Sequence, residues 1–188
     1  MPKRRGSVTN TKKILLTAQE MDRALTRMAH EIVEQSRGIS DLALIGIRTG
    51  GVYLAERLRQ RIAAIEGTML PFGVLDINLY RDDWSRLSQH PIVRKTEIPF
   101  PIDQKDIVLV DDVIYTGRTI RAALDALTDI GRPKRIQLAV LVDRGRRELP
   151  IQPDYTGLAI KTSAEEHVNV YLKEEGAEEC VVLTKNDK

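Results

Sequence analysis

The chain has 188 residues, 42% of them hydrophobic and 30% charged, which is enough for one well-buried domain and short for two. Its single cysteine, Cys180, excludes an internal disulfide and a multi-cysteine metal site, and no apolar run approaches the roughly 18 residues of a spanning helix, so a soluble, cytoplasmic protein without a membrane partner is expected. A formal net charge of +2 is too small to argue for nucleic-acid binding on bulk charge alone.

Residues 1–13 carry Lys3, Arg4, Arg5, Lys12 and Lys13 and no acid, which leaves the remainder net acidic. They read as a disordered, solvated arm, with contact to nucleic acid as the alternative, ahead of a single domain over 14–185. Thr17-Ala-Gln-Glu20 is a capping box, and Met21, Leu25, Met28 and Ile32 follow at helical spacing, so a first helix runs to about Ser36. A strand at Leu42 to Ile47, a turn at Arg48-Thr-Gly-Gly51 and a helix from Val52 to about Ala64 open a βα unit. Phe72 to Leu79 reads as a strand. The polar stretch 80–99, with Arg81, Asp82, Asp83, Arg86 and Arg94, reads as a mobile loop or open hairpin.

Ile107-Val-Leu-Val110 is a short apolar run of the kind found in parallel strands buried on both faces. After it come Asp111, Asp112 and a turn, then a helix from about Thr119 to Ile130, stopped by Gly131 and Pro133. A strand at Ile136 to Val142 and weaker ones at Leu158 to Lys161, His167 to Leu172 and Cys180 to Leu183 complete the chain. Strands alternating with helices imply an α/β fold with a doubly wound parallel sheet.

In such sheets ligands sit beyond the carboxyl ends of the strands, and Asp111, Asp112, Thr116, Gly117 and Thr119 fall there. A helix N-terminus offers unpaired N–H groups and partial positive charge, Gly117 permits close backbone approach, and threonine hydroxyls add donors, a set suited to a phosphate monoester. The spacings of nucleoside-triphosphate and dinucleotide loops are both absent. Two adjacent carboxylates can accept from a sugar diol or share a Mg2+ ion with its waters. Taken singly, the same residues also read as ordinary turn and helix caps.

Taken together, the run from Val108 to Ile120 resembles the 5-phosphoribosyl-1-pyrophosphate (PRPP) signature of type I phosphoribosyltransferases. Leu25-Thr-Arg-Met-Ala-His-Glu31, Leu79-Tyr-Arg-Asp-Asp83, Gly131-Arg-Pro133, Leu138-Ala-Val-Leu-Val-Asp-Arg-Gly145 and Glu148-Leu-Pro-Ile151 resemble the pyrimidine-operon attenuation regulators that are also uracil phosphoribosyltransferases. The resemblance covers about residues 14–172. It implies a mostly parallel twisted sheet flanked by helices, with a small hood formed by the N- and C-terminal segments, and a homodimer or higher homo-oligomer. It also implies conversion of uracil and PRPP to UMP and pyrophosphate with Mg2+ as cofactor.

By the same resemblance, Asp111 and Asp112 act in catalysis, holding the ribose hydroxyls and, through substrate and water, the metal. Val113, Ile114 and Tyr115 lead to Thr116, Gly117, Arg118 and Thr119, which hold the 5-phosphate. Arg48, Thr49 and Gly50 form the pyrophosphate loop, Arg94 reaches pyrophosphate when the 80–99 loop closes, and Arg144 and the main chain of Val168 contact the nucleotide. Where the family usually has arginine this chain has Gly50, so either Arg48 substitutes or pyrophosphate is held more weakly.

The regulator half of the resemblance implies UMP or UTP sensing and a pyrimidine leader mRNA as partner. Arg23, Thr26, Arg27 and His30 share one outward helix face, and Arg146 and Arg147 add charge; Thr26, Arg27, His30 and Arg147 match RNA-facing positions. Two further basic positions of the family are Gln152 and Leu158 here, which weakens the expected salt-dependent RNA affinity. A purine or orotate transferase without RNA binding is the alternative, and an inactive ligand sensor is disfavoured by intact Asp111, Asp112 and Gly117.

Overall fold

Thr17 and Glu20 start the first helix by capping each other. The Thr17 N–H and hydroxyl both donate to Glu20 Oε2 at 2.8 Å, and the Glu20 N–H donates to Thr17 Oγ1 at 3.4 Å, which satisfies orphan donors of the first turn. The computed structural model describes residues 11–36, 38–81 and 95–185. In it α1 spans Ala18–Ser36 and buries Met21, Leu25, Met28 and Ile32 completely or nearly so, each contributing roughly 1.5–3 kcal/mol. The expected helix and its buried stripe are both present.

Five strands form a parallel sheet in the order β3-β2-β4-β5-β6: β2 (Leu42–Ile47), β3 (Phe72–Leu75), β4 (Asp106–Ile114), β5 (Arg135–Asp143) and β6 (Tyr155–Ala159). Every residue of β2 is buried, because helices cover both faces. Leu42 and Leu44 pack with α1 and with α2 (Gly50–Glu66), while Ala43, Ile45 and Ile47 pack with α3 (Arg118–Ile130). Val108 and Val110 of β4 join the first core, and Ile107 and Leu109 the second.

Two of the boundaries that differ from the sequence reading shape the site. β3 ends at Leu75 rather than Leu79 because Asp76 Oδ1 accepts the Asn78 N–H at 2.9 Å, turning the chain into a short 3-10 segment, Asn78–Tyr80. β4 continues beyond Val110 to Ile114, since β5 keeps pairing with it through Asp111 with Val140, Val113 with Val142 and Ile114 with Asp143. The two aspartates therefore belong to the strand itself. Of the 80–99 loop, residues 82–94 lie outside the described residues. Its return limb bridges β3, with Val74 and Glu97 exchanging N–H···O bonds of 2.8 Å.

The tail strands β7 (Glu166–Tyr171) and β8 (Cys180–Lys185) leave the parallel sheet and join β1 (Thr11–Thr17) in an antiparallel sheet of order β1-β8-β7. This is the expected hood of terminal segments. Lys12 and Lys13, assigned from sequence to the arm, pair in β1 with Thr184 and Leu183; residues 1–10 lie outside the described residues. Arg57 of α2 ties the hood down, pairing with Glu174 at 2.7 Å and with Glu179. Among the described residues no helix is long and apolar enough to cross a membrane.

Candidate functional site

After β2 the chain moves through α2 to β3 on one side, and after β4 it moves through α3 to β5 on the other. The crevice between the carboxyl ends of β2 and β4 is thus the topological switch point of the sheet. Paired register with β2 ends at Val110, opposite Gly46, whereas β4 runs four residues further. Asp111, Asp112, Val113 and Ile114 stand in that overhang. The start of α2 is pressed against it: a Cβ on Gly51 would lie 2.3 Å from Val110 O, and one on Gly50 would lie 2.8 Å from Asp112 Oδ2. Gly51 lets this turn seat on the β4 backbone, and Gly50 leaves the Asp112 carboxylate in place beneath it.

Asp111 is buried at 5% exposure, and Asp112 is half-buried. The Asp112 N–H donates to Asp111 Oδ1 at 3.0 Å and the Val113 N–H to Asp112 Oδ1 at 2.8 Å. Burial pushes the Asp111 carboxyl well above the usual carboxylate range, and the neighbouring Asp112 charge adds to the shift. Burial also raises Asp112. Two crowded carboxylates of this kind gain from hydroxyl donors or a cation at their free oxygens. Among the described residues no cluster of three or more His, Cys, Asp or Glu forms a protein cage, so the pair fits a divalent cation whose remaining positions are filled by ligand oxygens and water.

The turn from β4 into α3 supplies the opposite charge. Gly117 adopts φ 91°, a left-handed conformation, and itself gives α3 no side-chain cap; the Arg118 N–H donates to Thr116 Oγ1 at 3.4 Å, and a helix N-terminus of this kind presents partial positive charge to an anion. The segment after β5 buttresses the turn, because Thr116 O accepts from the Glu148 and Leu149 N–H groups at 2.9 and 3.2 Å. Arg118 pairs with Glu148 at 2.7 Å. Thr116 and Thr119 are half-buried. Ile114 is buried in the α3-side core and Val113 packs against the other, so these two expected ligand positions act as framework.

The pyrophosphate-loop candidates are differently equipped. The Arg48–Thr49 peptide is cis. Arg48 donates through Nη2 to Lys95 O at 3.3 Å and lies 3.9 Å from Glu97, and its Nε is buried with no hydrogen-bond partner among the described residues. Arg48 thus faces the return limb of the 80–99 loop. Arg94, the expected pyrophosphate contact on that loop, lies outside the described residues.

Arg144 lies at the end of β5, nearly buried. Its Nε donates to Thr162 Oγ1 at 3.1 Å, its Nη2 to Glu166 O at 2.5 Å and Ser163 O at 3.4 Å, and its guanidinium carbon sits 4.0 Å from the centre of the Tyr115 ring. Val168 is in β7, paired with Leu183 and packed on the α1/α2 core. Thr162, Glu148 and the Tyr115 stack were not found from sequence. Their partners lie 18 to 30 residues apart, and no local spacing announces them.

The expected RNA-facing residues divide. Thr26, Arg27 and His30 are exposed on α1 and Arg146 is exposed after β5. Arg27 also pairs with Glu31 at 2.9 Å and donates to Thr156 O and Gly157 O. Arg147 is half-buried, and its donors go to Asp143 Oδ2 (2.7 Å), Ile151 O (2.8 Å), Tyr115 O (3.0 Å) and Gly145 O (3.3 Å). It braces the phosphate turn from inside.

The phosphoribosyl transferase domain family matches residues 11–175. The chain is 58% identical over 166 residues to the bifunctional protein PyrR of Acetivibrio thermocellus, covering 88% of this chain and 90% of that protein. It is 55% identical over 172 residues to the bifunctional protein PyrR of Deinococcus deserti, covering 92% and 94%. The hypoxanthine phosphoribosyltransferase structure of Trypanosoma cruzi superposes with a TM-score of 0.70 at 18% identity, covering 93% and 97%, a likeness of fold. The chain belongs to the phosphoribosyl transferase domain family and, within it, to the bifunctional PyrR proteins.

Proposed function

We propose that this chain transfers a phosphoribosyl group from PRPP to uracil, releasing UMP and pyrophosphate, and that the same site senses UMP or UTP to control binding of a pyrimidine leader RNA. One observation carries the transferase reading: two crowded carboxylates stand beside a helix N-terminus in the switch-point crevice. Asp111 and Asp112 accept from the ribose hydroxyls, which relieves their mutual repulsion. The N–H groups at Gly117 to Thr119, with the hydroxyls of Thr116 and Thr119, hold the 5-phosphate. As the C1–O bond to pyrophosphate breaks, the ribose gains positive charge, which the fixed carboxylates stabilise electrostatically. Asp111 and Asp112 would hold Mg2+ through substrate and water, and the ion would supply charge neutralisation for the leaving pyrophosphate. Arg48, Thr49, Gly50 and Arg94 complete the pyrophosphate side, and the 80–99 loop excludes water when closed.

Uracil is favoured as the base by the PyrR relatives, whose identity of 55–58% far exceeds the 18% shared with the hypoxanthine enzyme. Assaying uracil, hypoxanthine and orotate in parallel with PRPP and Mg2+ tests this: UMP forms from uracil, and turnover confined to hypoxanthine or orotate would overturn it. For the regulatory reading, Thr26, Arg27, His30 and Arg146 form the proposed RNA surface on a homodimer or higher homo-oligomer in the cytoplasm. A gel shift of the leader RNA of its own operon should tighten with UMP and weaken in His30→Ala. Affinity for unrelated RNA equal to that for the leader, and indifferent to UMP, would contradict it.

A further inference from the structure

The phosphate turn and the hood are separate in sequence and belong to different sheets, yet one buried cation joins them. The guanidinium of Arg144 is covered on one side by the Tyr115 ring, at 4.0 Å, and reaches across to Thr162 Oγ1, Ser163 O and Glu166 O. Glu166 opens β7, two residues before Val168. Tyr115 is itself held by its main chain, whose carbonyl accepts from Arg147 Nη1 at 3.0 Å, and Arg147 is anchored on Asp143. Among the described residues Arg144 forms no ion pair with a carboxylate, and its hydrogen bonds run through Nε and Nη2 to a hydroxyl and two main-chain carbonyls. A buried guanidinium without a counter-ion is held in place by neutral dipoles and by the negative face of an aromatic ring.

We propose that Tyr115 is a positioning residue for the base-binding half of the site. Its ring fixes Arg144, Arg144 fixes the main chain at Ser163 to Glu166, and the β7 edge that meets the base is thereby set relative to the phosphate turn. This rests on the transferase reading and deepens it. The aromatic face performs the task and the phenol hydroxyl is not required.

Two ligands separate the halves of the site: UMP, which has base, ribose and phosphate, and ribose 5-phosphate, which lacks the base. Titrating both into the full chain gives a ratio of affinities that reads the base contribution alone. In Tyr115→Leu this ratio should fall about fivefold through weaker UMP binding, the size expected for loss of one desolvated cation–aromatic contact. Tyr115→Phe should keep the ratio. Arg144→Gln, a second route to the same defect, should lower it at least as much, and in turnover should raise the KM for uracil more than that for PRPP. Equal losses for both ligands in Tyr115→Leu, or no loss in either, would overturn the proposal while leaving the transferase reading intact. A wild-type protein that bound neither ligand would overturn the transferase reading and this proposal with it.

Discussion

Two strand-to-helix turns meet at the same end of the sheet, and they are built on different principles. The turn after β4 has a buried and a half-buried carboxylate, a left-handed Gly117 and a helix start without a side-chain cap from it, and it is braced by Arg147 and by the Glu148 and Leu149 amides. The turn after β2 has no such set. Its nearest cation, Arg48, is directed to Lys95 O and Glu97, and Gly50 offers no side chain over Asp112. The first is the receptor for ribose and phosphate in the function proposed above. The second is a close-fitting cover, with glycines where the first has carboxylates and hydroxyls.

The largest effect that would break this contrast is expected at Asp112. Asp112→Asn keeps the shape and removes the charge facing the sugar, so kcat/KM for UMP formation should fall at least about 100-fold, a loss typical of one preorganised electrostatic contact. Activity within a factor of two of wild type would place the chemistry elsewhere. Next is Gly117→Val: at φ 91° a β-branched side chain is strained by about 1–2 kcal/mol, so UMP and ribose 5-phosphate should both weaken by about tenfold in titration.

Arg48→Ala sharpens the contrast from the other side. Losing one partly solvated charge should raise the KM for PRPP a few-fold while leaving UMP affinity unchanged; an equal loss for UMP would show that the two turns do not divide the substrate. The smallest effect is on stability. Because burial raises the folded-state pKa of Asp111 above its unfolded value of 3.8, the folded state holds the proton longer, and stability falls as pH rises from about 3.8 through the raised pKa. At neutral pH the unliganded Asp111→Asn protein should therefore melt a few degrees above wild type, and the gap should close as pH is lowered through that window. A lower melting temperature for the variant at neutral pH would contradict the buried-charge account.

How much could be read from the residues followed how local the cause was. The capping box at Thr17 to Glu20, the apolar stripe of α1, the strand at Leu42 to Ile47 and the Gly117 turn are written in residues a few positions apart, and all are visible in the sequence. Failures came where long-range pairing decided. β4 runs on to Ile114 because β5 continues beside it, and β3 stops at Leu75 because Asp76 closes a turn on Asn78. The four acceptors from residues 115, 143, 145 and 151 that gather around Arg147 had no local signal either. The Tyr115–Arg144 stack had no sequence signal, since a ring and a guanidinium 29 residues apart share no periodicity.

The central claim, that Asp111, Asp112 and the turn into α3 jointly bind the phosphoribosyl half of the substrate, is tested most directly by calorimetric titration of UMP into the wild-type chain and into Asp112→Asn at neutral pH. The account predicts saturable binding to the wild type and a loss of at least about tenfold in the variant, as expected for removing a charged acceptor from paired hydroxyls. Equal affinity in the two proteins would contradict it.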